Sequence, residues 1–334
     1  MTSTSGCTEW IPLAGQPSRL LVYRTYPLDI RNDAVTRAFI LIHGGNRDVD
    51  DYFRSALAAA FLADALGDTV IVAPRFASNQ GSRGGNDCKD PTAADEVSWI
   101  CDLKDPDSWR SGGRAIGHGE VTSFDFMDEI LRKLARKAIF PNLKIIVLAG
   151  HSAGGQFVTR YQMSNQVHET LGVAVSYIVA NASGAYMDPL RPTPAAYPVN
   201  AAAPGYVVPP PAEAFAPFAD EQGCARYDDW PYGLKNRKGY AARLSDDQLK
   251  KQLASRPATY LLGEYDILPL AGFDASCPAM AQGPTRLARG LAYEKYVNEK
   301  FGAHHKAVVV PLCGHNARCM FTSDVALPLA FPKY

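Results

Sequence analysis

The run Lys144-Ile145-Ile146-Val147-Leu148-Ala149-Gly150-His151-Ser152-Ala153-Gly154 carries the signals that set the fold. After its leading lysine, 144–149 is apolar and rich in β-branched residues, the composition of a strand covered on both faces. It breaks at Gly150, and residues 156–164 beyond it suit a helix. A serine between the two sits on a sharp strand-to-helix turn with its hydroxyl lifted clear of the sheet. Glycines two positions to either side allow the close backbone approach that such a turn forces.

The same alternation extends outward in both directions. Residues 38–42 read as a buried strand that stops at the tight turn His43-Gly44-Gly45. A helix is predicted at 50–66, with Phe53, Leu57, Phe61 and Ala65 forming its apolar stripe. Further strands are predicted at 69–73, 173–180, 258–263 and 306–311, and helices at 121–136 and 285–301. Met127, Ile130, Leu131 and Leu134 share one face of the first of these helices. Strands alternating with amphipathic helices imply an α/β fold, a mainly parallel sheet with helices on both faces. Two stretches break the pattern, and both follow the carboxyl end of a strand, where open α/β sheets bind their ligands. Residues 75–120 form a long glycine-rich connection with Trp99 and Trp109. In residues 185–256, nine of the 24 prolines fall between Pro189 and Pro217 alone. The organisation expected is one catalytic core of residues 1–184 and 257–334, with 185–256 inserted as a proline-rich cap or lid.

Composition narrows the function. The 334 residues carry 34 basic and 34 acidic side chains, a formal net charge of zero that favours neither nucleic acid nor an anionic membrane as partner. No apolar run reaches the roughly 18 residues of a membrane span, and the first residues lack the basic and apolar regions of a secretion signal. Seven cysteines are many for a cytosolic enzyme of this size. Cys88 with Cys101 and Cys313 with Cys319 are spaced to bridge loops, leaving Cys7 as the expected free thiol. This usage leans toward a secreted or periplasmic protein. There is no CxxC pair, His-Glu-x-x-His, phosphate loop or dinucleotide fingerprint, so neither metal nor cofactor is expected.

A serine is a weak nucleophile at its free pKa and needs a base, which in turn needs an orienting carboxylate. Both occur downstream at strand ends. Leu261-Leu262-Gly263-Glu264-Tyr265-Asp266 puts Asp266 in the loop after a strand, and Val308-Val309-Val310-Pro311-Leu312-Cys313-Gly314-His315 repeats the arrangement for His315. Glu264, too close to its strand, and Asp274, well down the loop, are rival acids. Ser152, Asp266 and His315, in that order on an alternating chain, resemble the α/β-hydrolase superfamily from about residue 20 to the C-terminus.

The resemblance implies attack by Ser152 on an acyl carbonyl, proton transfer through His315, orientation of the imidazole by Asp266, and release of the acyl group by water. The amide of Ala153 and that of Gly45, with Asn46 as the alternative, would form the oxyanion hole, each donor typically lowering the barrier by about 3 to 4 kcal/mol. His43 would brace this loop and His151 pack beneath the nucleophile turn. A bridge between Cys313 and Cys319 beside His315 is similar to what cutinase-like and polyester-degrading relatives carry. Tyr186, Trp230 and Tyr232 are the candidate cap aromatics for binding substrate. The leading function is hydrolysis of a small-molecule or polymeric carboxylic ester. Amidase, thioesterase or lactonase chemistry uses the same groups, and a lyase or acyltransferase uses the same fold. A non-catalytic binding module would show a broken triad. Both charge signs occur around the expected site (Arg75, Arg83, Asp87, Lys89, Asp220, Glu221), which favours neutral or aromatic esters.

Overall fold

The apolar runs of the sequence become strands, and their pairing places every candidate catalytic residue at one end of a sheet. The computed structural model describes residues 5–333 apart from 14, 16, 84–85, 103–104, 194–211, 219–222 and 270–271. The strands are β1 (Thr8–Pro12), β2 (Arg19–Arg24), β3 (Arg37–Ile42), β4 (Thr69–Pro74), β5 (Ser82–Arg83), β6 (Asn86–Asp87), β7 (Ile145–His151), β8 (Ala174–Ala180), β9 (Leu190–Thr193), β10 (Ala214–Pro217), β11 (Ala258–Gly263) and β12 (Lys306–Val310). Eight of them form one sheet in the order β1-β2-β4-β3-β7-β8-β11-β12. β2 pairs antiparallel with both β1 and β4, and every pairing from β4 to β12 is parallel.

The helices are α1 (Val49–Leu62), α2 (Ser123–Leu134), α3 (Ala153–Ser164), α4 (Asp246–Ser255), α5 (Cys277–Met280), α6 (Arg286–Phe301), α7 (Ala317–Phe321) and α8 (Leu327–Ala330). Because strand side chains alternate between faces, the all-apolar strands feed two cores. On β3, Phe39 and Leu41 join α1, α7 and α8 on one side, whereas Ala38, Ile40 and Ile42 meet α2, α3, α4 and α6 on the other. Local chemistry sets the helix ends. α2 begins at Ser123 because the Thr122 hydroxyl accepts from the Asp125 amide (3.2 Å) while the Asp125 carboxylate accepts from the Thr122 amide (2.9 Å).

The predicted strands and helices appear within a few residues of their expected places. The stripe on α1 does not appear as read. Phe53 is buried, but Phe61 is 70% exposed, and the buried face is Val49, Tyr52, Phe53, Ala56, Ala59 and Ala60. A strict four-residue spacing rotates about 40° per step against a helix of 3.6 residues per turn, so the eighth residue on has left the core. The first two strands and α4 carried no clear periodicity. They are short, and β1 and β2 have only one well-covered face.

The irregular connection at 75–120 sends part of its chain into the core: Trp99 and Trp109 are fully buried, and Trp109 stacks on Phe76 at 5.4 Å between ring centres. Cys88 bonds to Cys101 and Cys313 to Cys319, and Cys7 is free, as the spacing suggested. Cys224 bonds to Cys277 across 53 residues, a bridge no local spacing announces. Of the 185–256 stretch, β9 and β10 form a two-stranded antiparallel ribbon, and α4 lies against α3 with Leu249 and Leu253 in the main core. Residues 194–211 and 219–222, which include Asp220, Glu221 and most of the prolines, lie outside the described residues. No helix among those described is long and apolar enough to cross a membrane.

Candidate active site

β7 ends at His151 and α3 begins at Ala153, so the turn between them is a single residue. Ser152 takes φ 59° and ψ −119°, a left-handed conformation that a non-glycine residue holds only when its surroundings impose it. The flanking glycines show what imposes it. A Cβ on Gly150 would lie 2.2 Å from the Gly154 carbonyl oxygen, and one on Gly154 would lie 2.3 Å from the Ile42 carbonyl oxygen. Only glycine lets strand, turn and helix approach this closely.

The carboxyl ends of β11 and β12 deliver two more groups to the same point. His315 Nε2 lies 2.9 Å from the Ser152 hydroxyl, and its Nδ1 lies 2.7 Å from Asp266 Oδ2. A carboxylate facing Nδ1 fixes the proton there, which leaves Nε2 to accept from the serine. Asp266 is only 2% exposed, and its other oxygen accepts from Arg286 Nη1 at 3.3 Å. The rival acids are engaged elsewhere. Glu264 accepts from the Leu312 amide (2.8 Å), and Asp274 accepts from the Ser276 amide (3.0 Å) and the Tyr232 hydroxyl.

The loop after β3 lies against the serine: a Cβ on Gly44 would fall 3.8 Å from Ser152 Cβ. Gly45, Asn46 and Ala153 line the same cleft as Ser152. Neither the Gly45 nor the Ala153 amide donates a hydrogen bond within the fold among the described residues. Two buried imidazoles support this layer. His43 Nδ1 donates to the Gly44 carbonyl (2.9 Å) and its Nε2 accepts from the Phe76 amide (3.0 Å). Burial holds its pKa down to about 4. His151 bonds to the Tyr52 hydroxyl (2.9 Å), its ring centre 4.5 Å from that of His315. Burial keeps His151 well below the ordinary histidine range, so it adds no positive charge beside His315.

His43 makes stability pH-dependent. In the unfolded chain it binds a proton near pH 6.5, in the fold only near pH 4, so its contribution is complete above 6.5 and is lost as the pH falls through that window. The loss from this one group is about 3 kcal/mol. Denaturant unfolding at pH 7.5, 5.5 and 4.5 is expected to show it. In His43→Asn the pH slope should flatten.

The cleft has a volume of about 1430 Å³, and its walls are polar and apolar in about equal measure. Arg47, Arg110, Arg286, Arg289 and Arg318 line it together with Asp48, Asp51, Asp87, Asp102 and Asp274, and among the described residues its aromatic rings are Phe273, Tyr52 and the imidazoles of His151 and His315. Tyr186, Trp230 and Tyr232, the aromatics expected to hold substrate, are buried and are not among the lining residues. Tyr186 packs between Tyr293 and Tyr296, Trp230 donates to the Ser111 carbonyl (3.1 Å), and Tyr232 holds Asp274. Their place in the proline-rich stretch made them read as cap aromatics, but their rings are buried in the fold. Sequence reasoning missed Asn181, whose side chain ties the Gly263 amide (2.7 Å) to the Gly314 carbonyl (3.1 Å) between the strand ends that carry Asp266 and His315. It also missed Gln156, although a residue one helical turn beyond Ser152 must face the same cleft.

The alpha/beta hydrolase family model matches residues 39–327. The chain belongs to that family. Among solved structures, this hydrolase is similar to poly(aspartic acid) hydrolase-1 from Sphingomonas sp. KT-1, at 20% identity and a TM-score of 0.58, covering 97% of each chain. It is also similar to LpqC, a poly(3-hydroxybutyrate) depolymerase from Bordetella parapertussis, at 21% identity and a TM-score of 0.57, covering 95% of this chain and 85% of that one. At these identities the likeness establishes the fold. No curated protein matches the chain in sequence.

Proposed function

We propose that this hydrolase cleaves carboxylic esters through an acyl-enzyme formed on Ser152. The observation that carries the reading is the unbroken chain from the Ser152 hydroxyl through both nitrogens of His315 to the buried Asp266. His315 takes the serine proton as Ser152 attacks the carbonyl carbon, then gives it to the departing alkoxide. It next takes a proton from the water that attacks the acyl-enzyme and returns it to Ser152, which leaves with its hydroxyl restored. The Gly45 and Ala153 amides face the oxygen that becomes negative in each tetrahedral intermediate. The strained backbone of Ser152 costs stability but holds the hydroxyl in attack position before substrate arrives.

Residues 185–256 are proposed to be an insertion in the catalytic core, tied to α5 through the Cys224–Cys277 bridge, and none of its described residues lines the cleft. The three bridges support an extracellular or periplasmic home, where such bonds persist. Esters of small or polymeric acids are the proposed substrates, and amides, thioesters and lactones of matched structure test the choice of bond. A fluorophosphonate probe followed by peptide mass mapping tests the mechanism. The adduct is expected on Ser152 alone, with Ser152→Ala unlabelled. A folded wild type that takes no label would overturn the reading.

A further inference from the structure

Buried polar atoms without hydrogen-bond partners gather in one turn beside the nucleophile. They are Ser108 Oγ, Trp109 Nε1, Arg110 Nε and Nη2, and Ser111 Oγ, and Arg160 Nη2 adds another from the facing helix α3. Buried polar groups are almost always paired, and of these residues Arg110 is the one that also lines the cleft, so its open edge is the one a ligand there could meet. Arg110 is the centre of the cluster. It is 1% exposed, yet it lines the cleft with Ser152, and its Nη1 donates to Gln156, one turn beyond Ser152 on α3.

Charge points the same way. Arg110, Arg160 and Arg289 all act electrostatically on one carboxylate or its neighbours, that of Asp274, whose oxygens are already held by Tyr232 and the Ser276 amide. None of the three guanidiniums forms an ion pair with it among the described residues. A buried guanidinium with an unused donor edge and no ion pair of its own favours a negative partner. The geometry of the orphaned atoms is specific: Nε and Nη2 form one edge of the guanidinium, the fork that receives both oxygens of a carboxylate.

We propose that Arg110 is the subsite for an ionised carboxylate carried by the substrate, so that the preferred esters are those bearing a second, free acid group. The assignment of substrate class rests on the serine-hydrolase reading, whereas the carboxylate site itself does not. It replaces the expectation of neutral or aromatic esters, which came from the mixed charges of the flanking loops. Of the charges that expectation rested on, only Asp87 lines the cleft among the described residues, whereas Arg110 lines it with an open donor edge.

The carboxylate could sit on the acyl or the alcohol half, and two matched pairs separate these. Monomethyl glutarate is compared with methyl pentanoate, and 4-acetoxybutanoate with butyl acetate. In one pair the charged ester is expected to have a kcat/KM about 10- to 100-fold above its neutral partner, the range of a charge-assisted hydrogen bond. Arg110→Gln should collapse that ratio toward one, and Arg110→Lys, which keeps the charge without the fork, should leave it in between. Binding is measured separately by calorimetry with glutarate on Ser152→Ala, where Arg110→Gln in the same background should lose the heat signal.

Neutral esters turned over as well as charged ones in both pairs would overturn the subsite while leaving the serine esterase standing. If no ester is turned over, the function fails, and glutarate then decides the subsite alone: saturable binding that depends on Arg110 supports it, and no binding overturns it. Should Arg110→Gln fail to fold, the wild-type ratios and glutarate binding to Ser152→Ala and to Arg110→Lys carry the test.

Discussion

Ser152→Ala is expected to lower kcat on any ester the wild type cleaves by about 10⁶, with little change in KM. The methyl group cannot form the acyl-enzyme, and His315 then has no proton to accept from a nucleophile 2.9 Å away. Residual turnover would come from water attacking a carbonyl polarised by the Gly45 and Ala153 amides, a route worth far less than the complete assembly. Stability should not fall, because alanine keeps the Cβ and removes only a hydroxyl at a strained position. Steady-state kinetics and denaturant unfolding on the same preparation check both halves. A loss of less than about 100-fold with the fold intact would mean that the reaction does not run through this serine.

Asp266→Asn is expected to lower kcat by about 10⁴. Aspartate accepts the Nδ1 proton of His315 at 2.7 Å, but an asparagine amide turned toward that nitrogen would donate instead. The proton would then move to Nε2, the one atom that must accept from Ser152. The substitution also removes the negative charge 3.3 Å from Arg286, so some stability should be lost along with activity. Rates normalised to folded protein separate the two effects. If the normalised rate stays within about tenfold of wild type, Asp266 is a partner for Arg286 and not the residue that orients the base.

Some parts of this molecule are legible because they are local. Ser152 is announced by an apolar run, a glycine on either side and a following helix, and Asp266 and His315 each stand just past a strand whose composition marks its end. Local periodicity likewise places α2, where Met127, Ile130, Leu131 and Leu134 all face the core. The stripe on α1 went astray because alanines can bury a helix face as well as large side chains, and spacing alone gave Phe61 a role that the helical rotation denies it.

The sequence by itself determined the α/β order, the strand ends that carry Ser152, Asp266 and His315, and two of the three cysteine bridges. These follow from backbone geometry and short loops, which read over a few residues. Only the tertiary structure decided that Asn181 links two strand ends and that Cys224 meets Cys277. It also decided that Tyr186, Trp230 and Tyr232 fill the interior while Arg110 reaches the cleft. Each of these joins residues far apart in the chain, and which distant side chains meet is set by how whole elements pack, a property no local pattern encodes.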